Sequence, residues 1–388
     1  MRIVLLATVI LCSTGLLSLA RSGGPAPIQR NWGQLRALLP PGRSGWEAVV
    51  STRPSSGRLD LPAPFANITA ARLPGGGFAA TVFNADATQI HVELPTAWKP
   101  GVPIELETGE KTAQYSDGRI VFSALDAVVE GKAAKLETHP GNHRIGFWTR
   151  SEDRVHWDYQ ASRWGMYDVE LTYSSASPDG SEIVVSMGGQ EVGAKLVGTG
   201  SWYRYTTLSL GRLYLAKAGK HRLSVSCARK VGGAVMNLKA VTLRPAPEGQ
   251  PVKQAKDGSI ALHARDVTVH GVRLRYEPAE KKRCVGFWSD PEDWMSWKFD
   301  ITRPGRFRVR MAQGCGKGHG GSVAEVTVGG LKEVFTVEDT GHFQNFKWRE
   351  IGEVDLSEPG SHTLAVRALD KARAAVMDVR EVQLVPVP

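Results

Sequence analysis

The 388-residue sequence contains a long internal repeat, and this repeat limits the possible folds more than any other feature. The segment from Ile145 to Glu170 reappears 140 positions later as Val285 to Arg310. Seven residues of the first copy recur there at the same spacing: Gly146, Phe147, Trp148, Glu152, Asp153, Trp157 and Gly165 correspond to Gly286, Phe287, Trp288, Glu292, Asp293, Trp297 and Gly305. Such self-similarity predicts two domains of one fold.

The correspondence extends far beyond this segment. Upstream, residues 117–131 match 257–271 at the same offset, and downstream the offset becomes 141. One residue has therefore been added in the glycine-rich stretch Gly314 to Ser322. We predict two tandem modules, roughly 105–246 and 247–388.

Alternating apolar residues indicate the secondary structure of each module. Met295, Trp297 and Phe299 alternate with polar neighbours, and a second alternating run follows the turn at Pro304-Gly305. A period of two predicts strands with one buried face. Such runs recur at short intervals without a helical period, so we predict an all-β fold in which each module is an antiparallel jelly-roll β-sandwich.

The first 104 residues have a different character. Residues 1–20 combine Arg2 with an apolar run and small residues, the pattern of a secretory signal cleaved near Ala20, with a single-pass anchor as the alternative. We therefore predict a secreted or periplasmic protein without a stable membrane span after signal removal. Residues 21–60 are predicted to be linker-like, with about two helical turns over Asn31 to Leu39, and 61–104 to form a small β unit.

The net charge limits the kinds of partner that are expected, and the cysteine content limits the disulfides and metal sites. The net charge of +9 and pI of about 9.4 suit an acidic partner. The basic residues are scattered, however, and an exported protein has little reason to meet nucleic acid, so no nucleic-acid partner is predicted. After signal removal Cys227, Cys284 and Cys315 remain, and this odd number predicts neither a disulfide framework nor a zinc site. Whether Cys284 pairs with Cys315 stays open.

The order of residues in both repeats resembles the β-sandwich carbohydrate-binding modules of families six and thirty-five, including the galactose-binding-like modules appended to exported fucosidases and sulfatases of polysaccharide-degrading bacteria. The resemblance rests on three features that occur twice. These are an alanine–acid strand with a following glycine, a Thr-Gly pair before an aromatic residue, and a closing strand that begins Met-Asn-Leu or Met-Asp-Val: Ala124, Asp126, Gly131, Thr199, Trp202 and Met236, with Ala264, Asp266, Gly271, Thr340, Phe343 and Met377.

The resemblance implies sugar binding at one loop end of each module, where aromatic rings pack against pyranose C–H groups. Trp202 and Phe343 occupy the position of the loop aromatic residue, and Asn237 and Asp378 that of the polar residue near the last strand. Family members often hold structural calcium through a glutamate and an aspartate. This chain departs from that pattern, with Leu125 and Lys239 in the first copy and Arg265 and Arg380 in the second. No metal and no cofactor are predicted.

Several tryptophans require separate interpretations. Trp157 and Trp297 share a strand face with apolar residues and are predicted to lie in the core. Trp148 and Trp288 fit a sugar platform and rim packing equally well. Trp164 and Trp294 each occur in one copy only and stand in predicted loops, so both are candidate ligand contacts.

The recurring pairs Glu152-Asp153 and Glu292-Asp293 are also candidate ligand-binding residues. Two carboxylates invite a general acid–base interpretation. Adjacent residues point in different directions, however, and no separate partner acid is identifiable. We therefore favour a turn whose acids cap backbone amides or bind sugar hydroxyls, and no catalytic residue is predicted.

These observations predict an exported, non-catalytic glycan-binding protein that is accessory to polysaccharide degradation. Its expected partners are a glycan or polysaccharide and a glycoside hydrolase or sulfatase system. One alternative is an envelope structural or adhesion protein that binds protein partners. Another is a degenerate or truncated α-L-fucosidase-like glycoside hydrolase, because residues 21–104 faintly resemble the small β domain that ends some α-L-fucosidases.

Overall fold

The computed structural model describes residues 28–30, 33–38, 45–55, 58–62, 68–72, 79–86, 89–94, 98–108, 112–115, 117–138 and 143–387. The predicted signal, 1–20, lies outside these residues. Within them the chain consists of strands joined by turns, and its helical pieces are the two 3₁₀ turns Ala124–Asp126 and Ala264–Asp266. The all-β prediction is confirmed.

The strands before residue 109 form one sheet of order β1-β2-β3-β8-β5-β6-β7-β4. Their bounds are β1 (Ile28–Arg30), β2 (Gly33–Leu38), β3 (Gly45–Val50), β4 (Arg58–Pro62), β5 (Ile68–Arg72), β6 (Ala79–Asp86), β7 (Gln89–Glu93) and β8 (Ile104–Thr108). The helical turns predicted over 31–39 are wrong, because β2 pairs with β1 and β3. So short a helix is marginal on its own, and pairing on both sides decides for the strand. The segment predicted to be linker-like also contributes β3 and β4 to the sheet.

The first module is a sandwich of two sheets. One has the order β12-β13-β20-β10-β9, with β15 beside β20 and β18 beside β15; the other has the order β11-β14-β19-β16-β17. The strand bounds are β9 (Ala113–Gln114), β10 (Ile120–Ser123), β11 (Val128–Glu130), β12 (Lys135–Glu137), β13 (Arg144–Gly146), β14 (Arg154–Ala161), β15 (Gly165–Ser175), β16 (Glu182–Met187), β17 (Gln190–Lys195), β18 (Ser201–Leu215), β19 (Gly219–Arg229) and β20 (Asn237–Ala246).

The second module repeats this arrangement except at its first strand, because β9 pairs with β10 whereas its counterpart β21 joins β26 in the other sheet. Its sheets have the orders β24-β25-β32-β27-β30, with β22 on β32, and β21-β26-β31-β28-β29, with β23 on β26. Only β21 pairs in parallel. The strand bounds are β21 (Val252–Lys253), β22 (Ile260–His263), β23 (Thr268–His270), β24 (Arg275–Glu277), β25 (Cys284–Gly286), β26 (Trp294–Ile301), β27 (Gly305–Cys315), β28 (Val323–Val328), β29 (Leu331–Thr336), β30 (His342–Leu356), β31 (Gly360–Asp370) and β32 (Asp378–Pro386).

Each module has its own hydrophobic core between its two sheets. Trp157 and Trp297 are fully buried there, as predicted. Their indole Nε1 atoms donate to the carbonyl oxygens of Ser123 (2.7 Å) and His263 (2.8 Å). A buried indole N–H needs such a partner, so each ring joins two neighbouring elements while it fills the core.

In each module a recurring aspartate anchors the loop that follows a recurring glycine. Asp153 is buried and accepts hydrogen bonds from the backbone N–H groups of Lys132 (2.9 Å), Ala133 (3.0 Å) and Ala134 (2.7 Å). Asp293 accepts the equivalent bonds from Val272, Arg273 and Leu274, at 3.0, 2.7 and 2.6 Å. A Cβ on Gly131 would lie 2.1 Å from Asp153 Oδ1, so this close approach requires glycine.

The turn between β14 and β15 of the first module docks on this loop of the second module. Ser162 Oγ donates to the carbonyl oxygen of Val272 at 2.7 Å, and Arg163 Nε donates to that of Gly271 at 3.1 Å. Trp164 Nε1 donates to the Tyr276 carbonyl oxygen at 3.0 Å. Since Ser162 and Arg163 are buried, these contacts fix how the two modules meet.

The anchor predicts that Gly131→Ala destabilises the first module far more than Gly219→Ala. Both glycines have positive φ, +143° and +119°, but a Cβ at Gly219 meets nothing within 4 Å. The new methyl group at 131 displaces the Asp153 carboxylate from its donors, at an extra cost of about 2–3 kcal/mol. Urea unfolding of both variants measures the difference. Equal losses of stability would show that backbone strain, not the carboxylate contact, sets the requirement for glycine.

The docked turn predicts that Trp164→Ala separates the motions of the two modules without unfolding either one. The substitution removes the indole bond to β24 and its ring contacts, whereas both hydrophobic cores stay intact. Small-angle scattering should give a larger radius of gyration than the wild type at an unchanged circular dichroism spectrum. Trp348→Ala, which removes an exposed tryptophan elsewhere on the second module, is the control. An unchanged radius in Trp164→Ala would contradict the expectation.

Candidate functional site

A Phe-Trp turn in each module directs its two aromatic side chains to opposite sides. Trp148 and Trp288 are 0% exposed, whereas the preceding Phe147 and Phe287 point outward. Both phenylalanines have positive φ, +53° and +59°, which is an outlier for a bulky residue. The alternatives left open for Trp148 and Trp288 are thereby decided. Both indoles lie in the core, and neither contacts a ligand.

Two backbone hydrogen bonds of this turn are the same in both copies. The backbone N–H of Val235 donates to the carbonyl oxygen of Trp148 at 2.8 Å, and Val376 does so to Trp288 at 2.9 Å. The N–H groups of Thr149 and Ser289 donate to the carbonyl oxygens of Phe147 and Phe287, both at 2.8 Å. Strained backbone that the surroundings enforce is concentrated at functional sites. The strained turn therefore identifies this loop end of the sandwich as a candidate functional site.

Beside the turn, the first module has an open cleft of about 250 Å³. Its walls come from β12, β13, the Phe-Trp turn, the start of β18 and the segment that precedes β20. The lining residues are Glu137, Arg144, Phe147, Thr149, Trp202, Tyr203, Ala234, Met236 and Asn237. Two predicted residues, Trp202 and Asn237, are thus brought together.

The two predicted residues are joined through the backbone. Asn237 Nδ2 donates to the carbonyl oxygen of Trp202 at 2.8 Å, and Ser174 Oγ donates to the same oxygen at 2.7 Å. Asn237 is buried and Trp202 is half-buried. These bonds fix the start of β18, and with it the position of the next residue, Tyr203.

The two rings that face solvent in this cleft were not predicted as contacts from the sequence. Tyr203 is 69% exposed and Phe147 is 54% exposed. Lys135 Nζ lies 4.0 Å from the centre of the Phe147 ring, and the Arg144 guanidinium carbon lies 5.2 Å from that of Tyr203. The signal for Phe147 was its recurrence next to a recurring tryptophan. Tyr203 has no aromatic counterpart in the second repeat, so comparing the copies could not find it.

A charged pair lies at the base of the cleft. Arg144 Nε is 2.8 Å from Glu137 Oε2, and the arginine is buried. Burial lowers the pKa of Arg144, but the hydrogen bond and charge of Glu137 outweigh this effect and raise it above its ordinary value. The pair thus presents polar atoms beside the rings while its net charge is zero.

The corresponding positions of the second module carry different chemistry. They are Glu277, Cys284, Phe287, Ser289, Phe343, Gln344 and Asp378. Arginine has become cysteine, asparagine has become aspartate, and the exposed tyrosine has become glutamine. Phe343, the predicted loop aromatic residue, packs against Gly316, where a Cβ would lie 2.5 Å from its ring, and meets the His319 ring at 5.4 Å.

Glu277, Cys284 and Asp378 bring their donor atoms within 4.8 Å of one another, and all three are buried. Lys282 Nζ pairs with Glu277, and Cys284 Sγ donates to Asp378 Oδ2 at 3.5 Å. Burial, together with the nearby Glu277, raises the pKa of Asp378 to about 7. Burial and the charge of Asp378 raise the pKa of the Cys284 thiol. Protonation of Asp378 and Cys284, together with the positive charge of Lys282, thus offsets the negative charge of this cluster.

Two unshared tryptophans contact protein groups rather than open clefts. The Trp164 ring meets Phe287 edge-on at 5.5 Å, and the Arg275 guanidinium lies 3.9 Å from its centre, so Trp164 belongs to the module contact. Trp294 stacks with His270 at 3.6 Å and with Arg367 at 3.5 Å. Protein side chains thus pack on both half-buried rings, and a ligand contact at Trp164 or Trp294 stays a prediction.

The recurring aspartates and glutamates differ in burial. Asp153 and Asp293 are wrong as ligand contacts, because both are enclosed and hold their loops through three amide donors each. The donors outweigh burial and lower the pKa of Asp153, whereas burial and nearby Asp290 raise that of Asp293 to about 7. Glu152 is exposed, 3.7 Å from Arg150, and Glu292 is half-buried beside Asp290. Neither glutamate lines the cleft of the first module.

The calcium positions of the resembling families are unsuited to a cation here. Leu125 and Lys239 offer no carboxylate oxygen, and Arg265 and Arg380 are positive. Calcium requires six to eight oxygen ligands, several of them carboxylates. In the second module both arginines instead line one pocket.

No family model matches the chain, and no curated protein matches it. Similar solved structures include a family 35 carbohydrate-binding module from Clostridium thermocellum, with TM-score 0.28, 18% identity, and coverage of 32% of this chain and 96% of that one. A family 6 module of a marine laminarinase from Zobellia galactanivorans gives TM-score 0.26, 18% identity, and coverage of 32% and 98%. A Paenibacillus xanthan lyase gives TM-score 0.32, 13% identity, and coverage of 94% and 36%.

The described part of the chain contains no helix that is long and apolar enough to cross a membrane.

The buried aspartate predicts a pH-dependent difference between wild type and Asp378→Asn. The folded-state pKa of Asp378, about 7, lies above its ordinary value of 3.8, so the folded chain binds the proton more tightly than the unfolded chain. The free energy of unfolding therefore falls as pH rises from about 4 to about 7. Asparagine removes this fall, and at pH 8 the variant should be more stable by on the order of 2 kcal/mol.

Denaturant unfolding at pH 4.5 and pH 8 measures this difference. Asp293 also has a raised pKa and titrates in both proteins, so the comparison isolates Asp378. Asn237→Asp is the converse variant, because it places the carboxylate at the corresponding position of the first module. Equal pH dependence in wild type and Asp378→Asn would show that Asp378 is already ionised in the folded state at low pH.

Proposed function

We propose that the protein binds a glycan at the cleft of its first module and carries out no bond cleavage there. The observation that carries this proposal is the pairing of two outward rings, Tyr203 and Phe147, with the Arg144–Glu137 pair and Asn237 at the cleft base. A sugar offers apolar C–H faces and a rim of hydroxyl groups. Aromatic rings beside hydrogen-bonding side chains fit both surfaces.

The composition of the cleft also bears on catalysis. Among the described residues that line the cleft, Glu137 is the one carboxylate, and Arg144 binds it at 2.8 Å. Glycoside hydrolysis by the usual mechanisms uses two carboxyl groups on either side of the scissile bond. The cleft therefore favours binding over hydrolysis.

The second module would contribute less to sugar binding. Its counterpart of Tyr203 is Gln344, Phe343 is covered by the glycine-rich loop, and Trp164 of the first module stands against Phe287. We propose that the first module supplies the main affinity, so that the chain behaves as one binding site on a rigid pair of modules. Export of the protein and support of a polysaccharide-degrading system remain part of the proposal.

Binding of oligosaccharides to the purified protein tests the proposed function. Screening on a glycan array should identify a ligand, and titration calorimetry should then show that Tyr203→Ala weakens binding at least tenfold, about 1.4 kcal/mol. Trp348→Ala removes another exposed ring outside the cleft and should leave affinity unchanged. Equal affinity in all three proteins, or hydrolysis of the bound glycan, would overturn the proposal.

Phe147→Gly is the second variant for this test. Glycine relieves the positive φ of +53° and removes the ring at once. The thermal midpoint should stay constant or rise while glycan affinity falls. A fall in both would mean that the ring serves the fold.

A further inference from the structure

A second pocket, of about 400 Å³, lies on the second module. It is lined by His263, Ala264, Arg265, Tyr276, Glu280, Arg283, Arg380 and Glu381. Tyr276 and Glu277 are neighbours in β24, and neighbouring strand residues point to opposite faces. The pocket is therefore separate from the buried cluster of Glu277, Cys284 and Asp378.

Positive charge exceeds negative charge in this pocket. Three guanidinium groups meet two carboxylates, and one of these, Glu381, already contacts His263 Nδ1 at 3.4 Å and accepts a hydrogen bond from Gln383. The acid nearest to Arg265 is Asp266, at the long distance of 3.6 Å. Among the described residues Arg283 and Arg380 form no ion pair within 4 Å.

Arg380 is held in place by neutral groups. Its Nε donates to the carbonyl oxygen of Lys282 at 3.2 Å, and a terminal nitrogen donates to those of Lys281 and Lys282, both at 3.0 Å. Its guanidinium carbon lies 3.8 Å from the centre of the Phe346 ring. The side chain is thus fixed, half-buried and uncompensated in charge, which favours an anionic ligand.

Arg283 enters the pocket from a strained turn. Its φ is +42°, and its backbone N–H donates to the carbonyl oxygen of Ala279 at 2.9 Å. The surrounding hairpin enforces this conformation, and enforced strain is concentrated at binding sites. The first module has Leu125 and Lys239 at the positions of Arg265 and Arg380, so the cluster is particular to the second module.

We propose that this pocket binds an oxyanion, and that its natural source is a sulfate ester or carboxylate on a sugar unit. Guanidinium groups bind the oxygens of such groups through paired, charge-assisted hydrogen bonds. The pocket volume exceeds that of a bare ion and accommodates a charged sugar ring. The choice of a sugar rests on the proposed function, whereas oxyanion binding itself rests on the three arginines.

Titration calorimetry with sodium sulfate, sodium phosphate and glucuronate, at one ionic strength maintained with sodium chloride, tests the pocket. The wild type should bind at least one of these oxyanions, and glucose should give no signal there. Combining Arg265→Gln with Arg283→Gln should weaken the binding about tenfold. Arg380 is left intact because it holds the hairpin.

A matched control removes the same charge elsewhere. Arg306→Gln with Arg308→Gln changes two arginines of the same module that lie beside Glu353, at 2.9 and 3.6 Å, and should leave oxyanion binding unchanged. A crystal soaked in selenate should show anomalous density between Arg265, Arg283 and Arg380. Equal losses in both double variants, or density confined to other sites, would overturn the proposal.

The two proposals fail independently. Loss of glycan binding in Tyr203→Ala with unchanged oxyanion binding supports separate sites on the two modules. Binding of phosphate without sulfate or glucuronate would overturn the sugar as the source of the anion. Absence of binding to every oxyanion would overturn the pocket and would leave the cleft of the first module unaffected.

Discussion

Burial of the tryptophan after each recurring phenylalanine determines the chemistry of the loop end. The indoles of Trp148 and Trp288 fill the core, and their carbonyl oxygens are fixed by the backbone of the segment before the last strand. Because neighbouring side chains must diverge, the phenylalanine is forced outward, at positive φ. The favourable free energy of burying a large indole offsets the cost of that strain, about 1–3 kcal/mol. An exposed ring next to a fixed loop is the result.

The loops anchored by Asp153 and Asp293 also bear on the contact between the two modules. Three amide donors hold each carboxylate, so the loop after the recurring glycine has a defined shape in both copies. In the second module the outer side of that loop receives Ser162 and Arg163. The interface thus uses a surface that the fold already made rigid. The same contact brings Trp164 beside Phe287, so the loop end of the second module carries an aromatic neighbour from the first.

The repeat and the alternation of apolar residues predicted the fold well, because a buried sheet face imposes a period of two directly on the sequence. Trp157 and Trp297 were placed correctly for that reason. Trp148 and Trp288 could not be, since their direction depends on a positive φ that has no period. The protein contacts of Trp164 and Trp294 were not predicted, for a different reason. Arg275 lies far from Trp164 in sequence, and His270 meets Trp294 through the pairing of β23 with β26, which the sequence pattern does not reveal. The strand Gly33–Leu38 was missed because a short apolar pattern fits both a helix and a strand.

The two modules differ in their charged residues as well as in the contact between them. In the first module Arg144 and Glu137 neutralise each other beside Asn237. In the second module Asp378 and Cys284 fill the equivalent space, and burial keeps the aspartate protonated up to a pH of about 7. Three further positive charges lie on the other side of the β24–β25 hairpin, where Arg265, Arg283 and Arg380 line one pocket. A duplicated sandwich can change in this way without loss of its core, because strand pairing fixes the inner faces and leaves the outer faces and loop ends free to vary.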